Sequence, residues 1–125
     1  MYRIGEFSKI TGLTTQTLRY YDREKILSPS YRKEENGYRY YSAEDIETAQ
    51  FISWLRKFNF SIMEMKDVLS NMRTQEDFND FIMEKIILTE NSIKEQHNLI
   101  AEMKAYLALS PLENKEVIDL SLIHI

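Results

Sequence analysis

The chain has 125 residues, of which 43% are hydrophobic and 29% are charged, a composition typical of a folded protein and not of a disordered one. It contains no cysteine, which excludes disulfides, thiol redox chemistry and thiolate metal sites. The apolar runs are short and broken by charge, and the N-terminus lacks a signal-peptide pattern. We therefore expect a cytoplasmic protein with no membrane partner.

The formal net charge of −4 is unevenly distributed along the chain. Residues 1–43 contain eight Lys or Arg against five Asp or Glu, whereas residues 74–125 contain four against ten. This asymmetry fits a basic head that faces phosphates and an acidic helix that faces solvent. An ordinary solvated surface is the alternative explanation.

Residues 3–11 have apolar side chains at helical spacing, and Gly12 then interrupts the pattern. Thr14 is placed to cap a second helix, so the segment predicts two helices joined by a tight turn. That second helix is expected to continue to Leu27 and to stop before Pro29. The expected core residues of this unit are Ile4, Phe7, Ile10, Leu13 and Leu18.

The second helix is expected to be a recognition helix. Leu18 points inward, and the opposite face carries hydroxyl, amide and guanidinium groups, which contact phosphates and base edges in DNA complexes. The residues on that face are Thr15, Gln16, Arg19 and Arg23.

Residues 31–33 and 38–41 are predicted to form a β-hairpin, or wing. Their connection contains Asn36 and Gly37, residue types that tolerate a positive φ. Arg39 would face opposite to Tyr38 and Tyr40, so that one face of the strand reaches phosphate while the other packs. An amphipathic hairpin with one surface arginine is the alternative.

Two further helices are predicted after the wing. Ser42 with Asp45, and Ser61 with Glu64, form capping boxes, and Asn59 suits the left-handed position that ends a helix. The expected buried stripe of the first helix is Ile46, Ala49, Ile52 and Leu55, and that of the second is Ile62, Met65, Val68, Leu69 and Met72.

The RYY triplet at 19–21, the NGYRYYS run at 36–42 and the spacing between them resemble the DNA-binding domain of the MerR family of transcription regulators. The resemblance covers about the first seventy residues. It implies a winged helix-turn-helix that dimerises on a palindromic promoter and bends and untwists the DNA, so that RNA polymerase engages both promoter elements. The positions that match the family's DNA-contacting surface are Thr15, Thr17, Arg19, Tyr20, Tyr21, Tyr38, Arg39 and Lys57.

Thr74 is expected to cap a last helix over residues 75–109, which is too long for an ordinary globular helix. Counting from Ile82 in alternating steps of four and three residues gives the pattern of a coiled-coil seam. Two of its members, Thr89 and Gln96, are polar. A long helix folded back over its own head is disfavoured, because the head is too small to cover it. The resemblance implies an antiparallel two-stranded coil. The apolar seam residues, predicted to form the homodimer, are Ile82, Ile86, Ile93, Ile100, Met103 and Leu107.

Three segments are therefore predicted: a DNA-binding domain over 1–73, a dimerisation helix over 74–109, and a linker with the start of an effector domain over 110–125. The last expectation rests on residues 117–125, which have the composition of a strand. The resemblance implies that a small molecule is sensed by a domain of which this is the first strand.

The expected fold class is mainly α, a winged helix-turn-helix head followed by a coiled-coil helix. The expected function is a dimeric regulator that binds promoter DNA without a cofactor. A DNA-architectural or excision factor is the alternative, although the long seam argues against it. Catalysis is not expected, since His97 and His124 have no triad or ligand companions and no Gly-rich phosphate loop is present. The resemblance also disfavours a metal-responsive regulator, because the metal sensors of the family generally use cysteines around the end of the long helix and this chain has none.

Overall fold

The computed structural model describes residues 1–110 and is mainly helical, as the sequence predicts. One compact unit extends over Met1–Phe78, and a second begins at Asn79. The strand predicted over residues 117–125 lies outside the described residues. The elements in chain order are β1 (Tyr2–Arg3), α1 (Ile4–Thr11), α2 (Thr15–Arg23), β2 (Tyr31–Arg32), β3 (Arg39–Tyr41), α3 (Ala43–Lys57), α4 (Ile62–Asn71) and α5 (Gln75–Leu109).

Four of the helices begin at the hydroxyl caps that the sequence predicts. In each case the cap oxygen accepts a hydrogen bond from the backbone N–H three residues later, which satisfies a donor that has no partner inside the helix. The donor–acceptor distance is 3.1 Å for Thr14, 3.2 Å for Ser42, and 3.1 Å for both Ser61 and Thr74.

The turn between α1 and α2 is set by Gly12, which has a φ of 77° and donates its N–H to the Ser8 carbonyl at 2.9 Å. A left-handed residue at this position reverses the chain without strain only when it lacks a Cβ. Leu13 is then buried immediately after the turn. The predicted helix-turn-helix is confirmed.

The predicted end of α2 at Leu27 is wrong, because the helix stops at Arg23. Lys25 adopts a φ of 59°, and the N–H of Ile26 donates to the Tyr21 carbonyl at 2.8 Å. This is the hydrogen-bond pattern of a left-handed helix end. The early stop turns Ile26 and Leu27 into the core, where both are buried.

The core of the head is built around α1, which packs against α2, α3 and the sheet. Phe7, Leu13 and Leu18 are buried as expected, and Ile4 is half-buried. Ile10 is the exception, since half of its surface is exposed. The inward face of α1 passes through residue 11 instead of residue 10: Thr11 is half-buried, and its hydroxyl donates to the Phe7 carbonyl at 2.8 Å.

The wing belongs to a three-stranded antiparallel sheet in the order β1-β3-β2. Strand β1 was not expected, because its two residues precede a strong helical pattern. It pairs Tyr2 with Tyr41 and Arg3 with Tyr40, while Tyr31 pairs with Tyr40 on the other side of β3. The wing is thus fixed at its base to the first residues of the chain.

Asn59 ends α3 with a φ of 61°, as predicted, and α5 has the predicted bounds. Phe78, in the first turn of α5, packs edge-on against Phe51 with 4.7 Å between the ring centroids, so the compact head extends past residue 73. Among the described residues, no helix is both long and apolar enough to cross a membrane. Along α5, about half of each side chain is exposed at Ile86, Ile93, Ile100, Met103 and Leu107, and Ile82 is half-buried.

Candidate nucleic-acid interface

Helix α2 presents a polar face because Leu18 and Tyr21, three residues apart, anchor its other face in the core. The Tyr21 side chain is only 3% exposed. Its position therefore differs from the expectation that it contacts DNA, since it lies on the same side of the helix as Leu18. The last residue of the RYY triplet therefore holds the helix in place.

The outer face of α2 carries the groups that the sequence predicts. Arg19 is exposed and has no carboxylate partner among residues 1–110. Tyr20 is also exposed, and the Arg23 guanidinium lies 5.8 Å from its ring centroid. Thr15 and Thr17 are half-buried near the start of the helix, and the Thr17 hydroxyl accepts a hydrogen bond from Thr14 Oγ1 at 2.8 Å.

Asp22 connects α2 to the wing. Its Oδ2 accepts a hydrogen bond from Arg32 Nη2 and another from Arg39 Nη1, both at 3.0 Å. The Asp22 side chain is 11% exposed, compared with 56% for Arg32 and 37% for Arg39. One largely buried carboxylate therefore holds two partly exposed guanidinium groups, one from each hairpin strand.

These groups surround a surface cleft of about 490 Å³ between α2, the turn that follows it, and the wing. Five cationic side chains and one carboxylate line the cleft, so its potential is positive. A polyanion such as a nucleic-acid backbone suits this charge and openness. The lining residues are Arg19, Asp22, Arg23, Lys25, Ser28, Arg32 and Arg39.

The tip of the wing is ordered by local contacts. Gly37 has a φ of 69° and donates to the Lys33 carbonyl at 2.8 Å, and the Asn36 side chain accepts from the Tyr38 N–H at 2.9 Å. The Arg3 guanidinium lies 3.9 Å from the centroid of the Tyr38 ring, a cation–π contact. Tyr38 remains half exposed, as a residue that contacts a partner must be.

Lys57, the last predicted DNA-contacting residue, lies at the end of α3 and does not line the cleft. Its ammonium is 5.3 Å from the centroid of the Trp54 ring, and that ring stacks on Phe58 with 5.6 Å between centroids. All three side chains are exposed. The structure thus brings Arg19 and Arg39 together and leaves Lys57 on a separate surface.

Two buried tyrosines near the cleft have perturbed acidity. Burial raises the pKa of Tyr41, and the nearby Asp22 carboxylate raises it further. Burial also raises the pKa of Tyr21, although the positive charge of Arg56 acts in the opposite direction. Both phenols therefore stay neutral at physiological pH, and the positive charge of the cleft comes from its arginines and lysine.

Sequence reasoning missed three charged residues of the cleft, Asp22, Lys25 and Arg32, and the neutral Ser28. Asp22 adjoins the RYY triplet and Arg32 lies in a predicted strand, but their pairing joins residues ten positions apart. Both predicted hairpin strands carry positive charge, and this pattern could have indicated that Arg32 lies beside Arg39 in the site. Lys25 was predicted to lie inside a helix, so its position in the lining of the cleft was not foreseen. Within residues 1–110, no group of three or more His, Cys, Asp or Glu is arranged to hold a metal ion.

The sequence and the fold of this chain are similar to those of known transcription regulators. The sequence is 35% identical over 114 residues to the multidrug-efflux transporter 2 regulator of Bacillus subtilis, covering 90% of this chain and 41% of that protein. The fold resembles the N-terminal part of MtaN, the Bacillus subtilis multidrug transporter activator, with a TM-score of 0.61, 27% identity, and coverage of 88% of this chain and all of that one. It also resembles EcmrR in an EcmrR–DNA complex, with a TM-score of 0.61, 28% identity, and coverage of 94% of this chain and 41% of that one.

This chain spans less than half the length of the Bacillus subtilis regulator, and its similarity covers the head and much of α5. The family model described as MerR HTH family regulatory protein matches residues 2–72, which include both helices of the helix-turn-helix and the wing. That match extends over more than half of the sequence. The chain belongs to the MerR family of helix-turn-helix regulatory proteins.

Proposed function

We propose that this chain is the DNA-binding and dimerisation portion of a transcription regulator that recognises a palindromic promoter. The observation that carries the proposal is the positive cleft in which recognition helix α2 and the wing are joined through Asp22. A helix of this kind reads base edges in the major groove, while basic side chains beside it fix its register on the phosphates. The similarity to EcmrR, solved as a DNA complex, supports this assignment.

Dimerisation through α5 is the second part of the proposal. Five of the six apolar seam residues, from Ile86 to Leu107, are about half exposed in the single chain, and exposed large apolar side chains at seam spacing favour a partner helix. A second copy in antiparallel orientation covers this stripe and places two heads on one DNA duplex. Two-fold symmetry of the protein then matches a palindromic site.

The mechanism that fits this arrangement is distortion of the promoter. Two heads at a fixed separation impose their own spacing on the DNA, and bending and untwisting bring the two promoter elements into register for RNA polymerase. The energy for this distortion comes from the phosphate contacts on both half-sites. Such a regulator acts in the cytoplasm and requires no catalytic residue.

Selection of DNA fragments from a random pool tests the proposal. The protein should enrich one sequence with two inverted half-sites, and sedimentation should show two chains for each duplex. Enrichment of a single half-site by a monomer would favour a DNA-architectural factor. A pool that remains random after selection, at low salt and with folded protein, would overturn sequence-specific DNA binding altogether.

A further inference from the structure

We infer that Asp22 is a positioning residue for DNA recognition: by holding Arg32 and Arg39 on one carboxylate oxygen, it orients both wing arginines toward the backbone of the same DNA that α2 reads. This inference rests on the proposed DNA-binding function and adds a residue that does not itself contact DNA. It explains why a carboxylate lies at the centre of a surface that must attract a polyanion.

The first step of the argument is geometric. Arg32 and Arg39 are cross-strand partners in the wing, and both reach Asp22 Oδ2 at 3.0 Å. Each guanidinium has five N–H donors in a fixed plane, and one of them is used by Asp22. The remaining donors stay available, and both side chains are partly exposed at the cleft.

The second step is energetic. A long arginine side chain loses rotamer entropy when a partner fixes it. Asp22 fixes both guanidinium groups before DNA arrives, so that much of this cost is met during folding. Because the carboxylate is only 11% exposed, solvent screens its attraction less than that of an open surface pair.

The third step concerns charge. A negative group beside a phosphate repels it, so an acidic residue in this cleft is unfavourable unless it serves another purpose. Two opposite outcomes are therefore expected for an isosteric change to a neutral amide. If Asp22 only adds negative charge, its removal strengthens binding to every DNA. If Asp22 positions the arginines on phosphates, its removal weakens binding, and most strongly at the selected site, where both arginines are in register with the backbone.

Asp22→Asn separates these cases. Affinity should be measured for the selected operator and for a random duplex of equal length, each across a salt series, alongside a melting curve. We expect a roughly 5- to 100-fold loss of operator affinity, the range for a well-oriented contact. The slope of log K against log salt should become shallower by about one for each phosphate that the wing arginines no longer neutralise. Affinity for the random duplex should change less than affinity for the operator.

Two matched variants complete the design. Glu34→Gln removes a carboxylate from the exposed wing connection, where no ion pair holds it among residues 1–110, and it should not lower operator affinity. In a chain that already carries Arg32→Gln and Arg39→Gln, the further change Asp22→Asn should not lower operator affinity, because no wing arginine is left to position and only the repulsive charge is removed. Comparing Asp22→Asn with and without the two arginine changes isolates the part of its effect that passes through Arg32 and Arg39. The comparison holds even if the single Asp22 variant is less stable.

Failure of the positioning role of Asp22 and failure of the proposed DNA-binding function give different results. If no DNA site can be selected with the unchanged protein, the proposed function is wrong. If a site is selected but Asp22→Asn binds it as well as or more tightly than the unchanged protein, with a steeper salt slope, the positioning role is wrong and Asp22 is only a repulsive charge. A loss that persists when both arginines are already changed would also contradict it.

Discussion

The ring of Phe7 lies flat against the ring of Tyr41, with 4.2 Å between the centroids and 11° between the planes. Both side chains are fully buried. Phe7 lies at the middle of α1 and Tyr41 is the last residue of β3, so this stack connects the helix-turn-helix to the wing. The angle between the helix-turn-helix and the wing therefore depends on the core beneath them.

Phe7→Ala should destabilise the head by about 3–5 kcal/mol, because it removes a buried aromatic ring and leaves a cavity under the wing. Ile10→Ala is the matched control, since the same helical pattern predicted it as core but its side chain is half exposed. We expect less than about 1 kcal/mol for that change. Denaturant unfolding followed by circular dichroism measures both, and equal losses would contradict the observed face of α1.

Tyr41→Phe should leave stability unchanged or raise it at neutral pH. The Tyr41 hydroxyl is buried and has no hydrogen-bond partner among the described residues, and removal of an unsatisfied polar group relieves a cost of about 1–3 kcal/mol. Melting curves of the two proteins decide the matter. A marked loss of stability would show that the hydroxyl has a bound partner, such as an ordered water molecule.

The same variant should flatten the alkaline limb of the stability curve. Burial raises the pKa of Tyr41 above its ordinary value of 10.0, so the folded state holds the proton more tightly than the unfolded chain. This tighter proton binding by Tyr41 stabilises the folded state fully below about pH 10, and the stabilisation is lost as pH rises through the folded-state pKa. Tyr21 acts in the same direction, and the variant should therefore retain part of the alkaline loss.

Arg19→Ala should weaken operator binding by about 1–3 kcal/mol without lowering the melting temperature. The side chain is exposed on the outer face of α2 and has no ion pair among residues 1–110, so its removal costs the fold little. Arg73→Ala removes an equal charge from a position that does not line the cleft, and it should have a much smaller effect. Equal losses in both would indicate a purely long-range charge effect.

Lys25→Gly should separate stability from DNA binding. Lys25 has a φ of 59°, which costs a residue with a Cβ about 1–2 kcal/mol, whereas glycine adopts this conformation readily. We expect a melting temperature that is unchanged or higher, together with weaker DNA binding and a shallower salt slope, because one cation leaves the cleft. Unchanged DNA affinity would place Lys25 outside the interface.

Ile93→Asp should dissociate the proposed dimer, since an unpaired charge in the centre of the proposed apolar seam is costly. Asn91→Asp is the control, because residues two apart lie about 200° apart around a helix and the added charge then faces away from the seam. Sedimentation at equal concentration compares the two. A dimer that survives in the Ile93 variant would place the interface elsewhere, and dissociation by both would indicate general charge repulsion.

Features that depend on neighbouring residues could be predicted from the sequence. Each predicted hydroxyl cap is confirmed, because a cap acts on a backbone N–H only three residues away. Asn59 was correctly placed at a helix end for the same reason. The order of the predicted helices and the bounds of α5 also followed from local pattern.

Packing between segments that are far apart in the sequence decided which face of each helix is buried. Ile10 and Thr11 both lie near the inward face of α1, and only contact with α2, α3 and the sheet selects between them. Tyr21 is buried, although the adjacent Tyr20 is exposed, because the core accepts one face of α2. The pairing of Asp22 with the two wing arginines joins residues ten and seventeen positions apart. No local rule identifies such a contact, since it forms only when the wing folds onto the recognition helix.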